Sequence, residues 1–273
     1  MKLSEAAKIL KDAGIENYRE EARILFCELG EIPRHKTVAN DPDCNLEELI
    51  LGVERRANRE PMGYVLGTVS FCGQVYEVTS DTLIPRPDTE CLVEYAIKNL
   101  SRGDCFLDLC TGSGCVAIST LAMTEGTAAL AVDISDGALE VAKRNALRNG
   151  VADRLTVSHL DVINDPVPEN IGRVKAVLSN PPYVSNAEYG ELEKEIYFEP
   201  KSAFVGGDDG GDFYRAITPK YKNILTADGF IAYEIGYRQS ELIRSIASDN
   251  QMSSEILYDL GGNPRVAILK NVF

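Results

Sequence analysis

From about residue 88 onward, short apolar runs alternate with amphipathic segments, and few folds accommodate that rhythm. The strand candidates are Cys105 to Cys110, Ala128 to Ile134, Leu155 to Leu160, Val174 to Ser179 and Gly229 to Ile235. The helix candidates are Asp88 to Asn99, Gly114 to Met123, Asp136 to Asn149, Asp212 to Leu225 and Ser240 to Ala247. Strand and helix in alternation fold by right-handed crossovers into a mainly parallel sheet. The last stretch departs from this: Ser254 to Leu260 and Arg265 to Lys270 flank Gly261-Gly262-Asn263-Pro264 with no helix between them. They are predicted to pair as an antiparallel hairpin at one side of the sheet.

The first 62 residues follow another pattern. Ala6, Ala7, Ile9 and Leu10, then Ala22, Ile24, Leu25 and Leu29, then Leu46, Leu49, Ile50 and Val53 recur at helical spacing. A small helical domain over 1–62 is expected, then a β-hairpin linker over 63–80 from the runs Tyr64 to Val69 and Gln74 to Val78, then an α/β domain over 81–273. No apolar stretch reaches the roughly 18 residues that a membrane span requires. The start of the chain lacks the apolar core of a signal peptide, so cytoplasm is the expectation. The cysteines number seven, without paired Cys-x-x-Cys spacing, and there are two histidines, so neither a disulfide framework nor a metal site is expected. A net charge of −14 disfavours a phosphate backbone as partner and favours a protein or small-molecule substrate. Composition carries no oligomer signal, and a monomer is expected.

Two strand ends carry candidate chemistry. Phe106 to Leu109 leads into Cys110-Thr111-Gly112-Ser113-Gly114, where glycines permit close backbone approach to a ligand and a helix amino end presents free N–H groups. The next strand ends in Asp133, placed to accept both hydroxyls of a ribose, with Ser135 or Asp136 left to cap the following helix. Dinucleotides and S-adenosylmethionine share this much. The fourth strand ends in Asn180-Pro181-Pro182-Tyr183. Amide and exocyclic amine nitrogens are poor nucleophiles because their lone pair is delocalised. A site that methylates them gains from acceptors aimed at the N–H protons. The Asn180 side-chain oxygen and the Pro181 carbonyl are candidates for that pair, with Tyr183 stacking on a planar substrate group. This motif alone serves an adenine or a glutamine equally.

The chain resembles the release-factor glutamine methyltransferases, the HemK/PrmC family. The resemblance rests on the helical start, Tyr64 to Gly67, Thr82 to Glu90 (Thr-Leu-Ile-Pro-Arg-Pro-Asp-Thr-Glu), Asp108 to Gly114, Asn180 to Tyr183 and Phe198-Glu199-Pro200. It implies a Rossmann-like class I methyltransferase sheet, a helical substrate-docking domain, and transfer of methyl from S-adenosyl-L-methionine to the glutamine of the Gly-Gly-Gln motif in peptide chain release factors. It assigns Cys110, Thr111, Gly112, Ser113, Gly114, Asp133, Val162 and Asn180 to the cofactor, and Asn180, Pro181, Pro182 and Tyr183 to the glutamine. Cys110 departs from the glycine common in the family. Arg86 and Glu90 are expected either as an ion pair between domains, as a helix-entry feature, or in substrate contact. Glu199-Pro200 is a candidate lid, Gly206 to Gly211 a flexible surface turn, and His159 a packed strand residue.

Overall fold

The computed structural model describes residues 1–272. The chain divides into two compact units, one formed by 1–69 together with 193–198, the other by 70–192 and 199 onward.

The first unit is helical: α1 (Leu3–Asp12), α2 (Tyr18–Glu28), α3 (Arg34–Ala39), α4 (Glu47–Ala57) and α5 (Met62–Leu66). Its core gathers the apolar faces of these helices through Leu3, Leu10, Leu25, Phe26, Leu49 and Val53. The run at Tyr64 to Leu66, expected as strand, is helix α5. Pro61 opens it, with its carbonyl accepting from the backbone of Tyr64 and Val65 at 2.9 and 3.0 Å. The Arg55 guanidinium then donates to the Tyr64 and Val65 carbonyls at the end of the short helix (2.9 and 3.3 Å). The return of 193–198 to this unit has an electrostatic reason. Arg56 is buried on α4 and needs partners, which Glu21 (2.6 Å) and Glu195 (3.2 Å) supply, while Arg59 pairs with Glu195 at 2.8 Å.

A short sheet of β1 (Thr68–Phe71) and β2 (Gln74–Glu77) precedes the second unit's main sheet. That unit then runs α6 (Glu90–Asn99), β3 (Cys105–Leu109), α7 (Cys115–Met123), β4 (Ala128–Asp133), α8 (Asp136–Arg148), β5 (Leu155–His159), β6 (Val174–Ser179), α9 (Asn186–Tyr189), α10 (Asp212–Tyr221), β7 (Leu225–Glu234), α11 (Ser240–Asp249), β8 (Met252–Tyr258) and β9 (Pro264–Asn271). Its seven strands lie in the order β5-β4-β3-β6-β7-β9-β8, all running the same way except β9, which is antiparallel to both β7 and β8. The C-terminal hairpin therefore enters antiparallel, with β9 against β7 and β8 at the edge. Inner strands such as β6 read as nearly continuous apolar runs because helices cover both faces.

Register brings the functional edge into line. Leu109 pairs with Val132 and with Ser179, and Ser179 with Tyr233. One residue further along each strand stand Cys110, Asp133, Asn180 and Glu234. The order reverses between β3 and β6, so these residues border the crevice at the switch point where open α/β sheets take ligands.

Candidate active site

A cavity of about 450 Å³ opens at this switch point. Of the residues expected at the cofactor, Cys110, Thr111, Gly112, Ser113, Asp133, Val162 and Asn180 line it, and so does Pro182 from the expected substrate set. Gly114 does not; it forms the N-cap of α7. Pro181 is buried outside the lining. Tyr183 takes a different place from the one expected for stacking: its ring packs against the sheet core and its hydroxyl donates to Glu234 Oε1 at 3.2 Å.

The donor side of the cavity is built on carboxylates. Asp133 accepts from the backbone of Gly112 (2.8 Å) and Ser135 (3.0 Å), which orders the glycine-rich turn around it; Ser135 in turn caps α8. Burial pushes the Asp133 carboxyl up, and these N–H groups pull it back. Asp108, buried at the end of β3, accepts from the Thr111 hydroxyl (2.6 Å) and from Ala117 N (3.1 Å). Burial raises its pKa to about 7. The Ala117 N–H belongs to the first turn of α7, so that part of the helix amino end serves an internal carboxylate. Cys110 has a left-handed backbone, φ +61°, the region where a glycine is unstrained and a side chain costs about 1 kcal/mol. Its side chain packs against the sheet core, offsetting that strain.

Charge discriminates between cofactors. Five aspartates line the cavity, Asp81, Asp108, Asp133, Asp161 and Asp212, and among the described residues lining it there is no lysine, arginine or histidine. A pyrophosphate would meet only like charge here, whereas a ligand carrying cationic sulfonium and ammonium groups beside a ribose meets carboxylates of complementary sign.

The acceptor side is assembled from distant segments. Asn180 Nδ2 donates to the Thr89 hydroxyl oxygen (3.2 Å), which leaves its Oδ1 free to accept. Thr89 is buried in a 3-10 turn, Pro87–Thr89, within the signature segment. Glu199 is buried rather than part of an open lid: its Oε2 accepts from Ile84 N at 2.8 Å and its Oε1 pairs with Arg86. Arg86 and Glu90 therefore do not pair with each other; Glu90 begins α6 and accepts from Cys72 N (2.8 Å). Pro85 and Pro200, on either side of the Glu199 clamp, both line the cavity.

The glycine-rich turn is not a free surface loop. Its Asp208 and Asp209 are exposed, but Gly206 and Gly210 are buried against the Asn-Pro-Pro-Tyr loop. A Cβ at Gly206 would stand 2.3 Å from the Pro182 carbonyl oxygen, and one at Gly210 2.1 Å from that of Tyr183. Val184 and Val205 bridge alongside, with Val184 N donating to the Phe204 carbonyl at 2.8 Å and Gly206 N to the Val184 carbonyl at 2.9 Å. Gln239 Nε2 donates to the Tyr183 carbonyl at 2.9 Å. His159, expected to be packed, is exposed beside Asp136 (2.9 Å) because β5 is an edge strand.

Comparison with known proteins follows this division of the chain. Residues 2–67 match the PrmC N-terminal domain, and 87–202 match the methyltransferase small domain. A release factor glutamine methyltransferase of Clostridium acetobutylicum is 32% identical over 97% of this chain and 96% of its own length. One from Geobacter sulfurreducens is 36% identical over 88% of this chain and 84% of its own. The chain belongs to the release factor glutamine methyltransferases. The catalytic domain of hMettl16, solved with an RNA hairpin, superposes with a TM-score of 0.59 over 83% of this chain and 81% of its own at 13% identity, a likeness of fold alone. As a release factor glutamine methyltransferase, the chain carries features that motif reading overlooked: the Thr89 anchor, the Glu199 clamp, the buried glycines and Glu234. Glu199 and the glycines were each read as a surface feature, and Thr89 only as one member of the Thr82 to Glu90 signature.

Proposed function

We propose that the protein methylates the N5 amide nitrogen of the glutamine in the Gly-Gly-Gln motif of peptide chain release factors, using S-adenosyl-L-methionine and releasing S-adenosyl-L-homocysteine. The observation that carries this reading is one cavity that joins a wall of aspartates, without a basic residue, to the anchored amide of Asn180. When bound, S-adenosylmethionine supplies an electrophilic methyl group and leaves as a neutral thioether. Asp133 holds the ribose, Asp108 and its neighbours face the cationic end, and Val162 flanks the adenine.

Asn180 Oδ1 and the Pro181 carbonyl accept the two N–H protons of the glutamine amide. That holds the amide plane so that its lone pair, rather than an N–H bond, faces the incoming methyl group. The carbon–nitrogen bond forms as the carbon–sulfur bond breaks with its electron pair on sulfur. One amide proton, made acidic by the developing charge, passes to water. The first unit docks the protein substrate, and the enzyme acts as a monomer in the cytoplasm without direct nucleic-acid contact.

The test offers labelled cofactor with release factor, ribosomal protein or DNA in separate reactions, followed by tandem mass spectrometry. Label on the Gly-Gly-Gln glutamine of release factor, and little elsewhere, is expected. Preferential labelling of DNA or ribosomal protein would overturn the assignment.

A further inference from the structure

Glu199 is the residue at which the chain returns from the first unit to the second. Its side chain is only 1% exposed, and both carboxylate oxygens are engaged: Oε2 accepts from Ile84 N at 2.8 Å and Oε1 from the Arg86 guanidinium. A buried carboxylate partnered on both oxygens is firmly placed, because any displacement leaves charge without water or a donor. Glu199 does not itself line the cavity, and the chemistry above gives it no task. What it grips is the segment that carries Thr89.

Hydrogen bonds lead from Glu199 to Asn180 through one short turn. The Arg86 side chain ends on Glu199, the Arg86 carbonyl accepts from Thr89 N at 3.1 Å and closes the 3-10 turn, and the Thr89 hydroxyl oxygen accepts from Asn180 Nδ2 at 3.2 Å. That last bond decides which end of the Asn180 amide faces the substrate: with Nδ2 on Thr89, Oδ1 is left to accept. A shift of the turn by about 0.4 Å would stretch it past hydrogen-bond length. On the other side of Glu199, a second path reaches the same loop. The Pro200 carbonyl accepts from Ala203 N at 2.9 Å, the Lys201 carbonyl from Phe204 N at 3.0 Å, and the Phe204 carbonyl from Val184 N at 2.8 Å. One carboxylate therefore stands where the support of the Asn180 side chain and the support of the loop backbone meet.

We propose that Glu199 is a positioning residue for methyl transfer: held by Ile84 and Arg86, it fixes the turn that presents Thr89 to Asn180 and so aims the Asn180 carbonyl oxygen at the substrate amide. This inference rests on the glutamine reading of the site. The cofactor wall has its own supports, since Asp108 and Asp133 are held by Thr111, Gly112, Ala117 and Ser135. Loosening Glu199 therefore lowers turnover and spares cofactor affinity, whereas loss of a residue that only stabilises the fold would weaken both together.

The experiment compares the wild-type chain with Glu199→Gln, Arg86→Ala, Thr89→Val and the Glu199→Gln/Thr89→Val double variant, with release factor as substrate and cofactor affinity read by calorimetry. Wild-type methylation of the glutamine tests the parent reading, and the variants test this one. Glu199→Gln keeps an acceptor for Ile84 N but sets an N–H donor against Arg86. It is expected to lower kcat about 10- to 100-fold with cofactor Kd within about threefold. Arg86→Ala breaks the same link from its exposed side and should lower kcat about 3- to 10-fold, again sparing cofactor Kd. Thr89→Val should match Glu199→Gln, and the double variant should fall within about threefold of the poorer single one, because both break one chain of contacts. If Glu199→Gln does not fold, as judged by loss of cofactor binding, Arg86→Ala decides alone. The proposal is overturned if Glu199→Gln, or in its place Arg86→Ala, keeps wild-type kcat or loses cofactor affinity as much as turnover, or if the losses of Glu199→Gln and Thr89→Val multiply.

Discussion

The two sides of the cavity are built on different principles. The donor side is local: Asp108, Cys110 to Ser113 and Asp133 come from two adjacent strand ends, and the turn between them is tied to Asp108 by the Thr111 hydroxyl and to Asp133 by the Gly112 backbone N–H. The acceptor side is not. Asn180 depends on Thr89, the loop that carries it on Gly206 and Gly210, and the signature segment on Glu199, across separations of up to 115 residues. A cofactor common to many enzymes is held by a compact unit, while the group that selects the substrate is fixed by long-range contacts. Damage to one side should therefore appear in cofactor affinity and damage to the other in turnover.

The strongest contrast should come from Asn180→Ala. It removes an acceptor aimed at the reacting amide and should reduce kcat by about 10²- to 10³-fold, read by mass spectrometry of release factor over time. Next is Gly206→Ala, whose methyl group would meet the Pro182 carbonyl oxygen at 2.3 Å. Backbone must move, and a displaced Asn180 should cost about 10- to 100-fold in kcat, with a stability loss of about 1–3 kcal/mol seen in urea melts. Equal losses in cofactor affinity would break the proposed separation.

Smaller effects sharpen it. Arg86→Ala leaves the buried Glu199 carboxylate unpaired. The cost should be about 1–2 kcal/mol of stability by urea melt, less than for a fully buried pair because Arg86 is about a third exposed. On the donor side, burial raises the Asp108 pKa from the ordinary 3.8 to about 7. The folded pKa is raised, so this group's contribution to stability is full below about pH 4 and is lost as pH rises through about 7. Ionisation over the same window strengthens attraction to a cationic cofactor. Calorimetric affinity should rise several-fold from pH 6 to 8, and Asp108→Asn should flatten that rise.

What the sequence made legible follows the same division. Alternating apolar and amphipathic runs fixed the parallel sheet and its hairpin, because a helix-covered strand must be apolar throughout. The glycine turn and Asp133 were readable because strand, turn and helix are contiguous. The same holds for Asn180, whose place at a strand end is local information. Thr89 as anchor and Glu199 as clamp were not readable, since a buried polar residue is indistinguishable in sequence from an exposed one until its partner is known. Gly206 to Gly211 misled for a related reason: a glycine chosen for close approach of another backbone looks like a glycine chosen for flexibility. Tyr64 to Leu66 was read as strand because Arg55, which completes that short helix, lies outside the run itself.

The separation of the two sides is tested most directly by calorimetric titration of S-adenosylmethionine into Asn180→Ala and Asp133→Ala measured side by side. The account predicts that Asn180→Ala binds within about threefold of wild type, whereas Asp133→Ala, deprived of the carboxylate that orders the turn, binds at least about tenfold more weakly. Equal weakening in the two variants, or the reverse order, would contradict it.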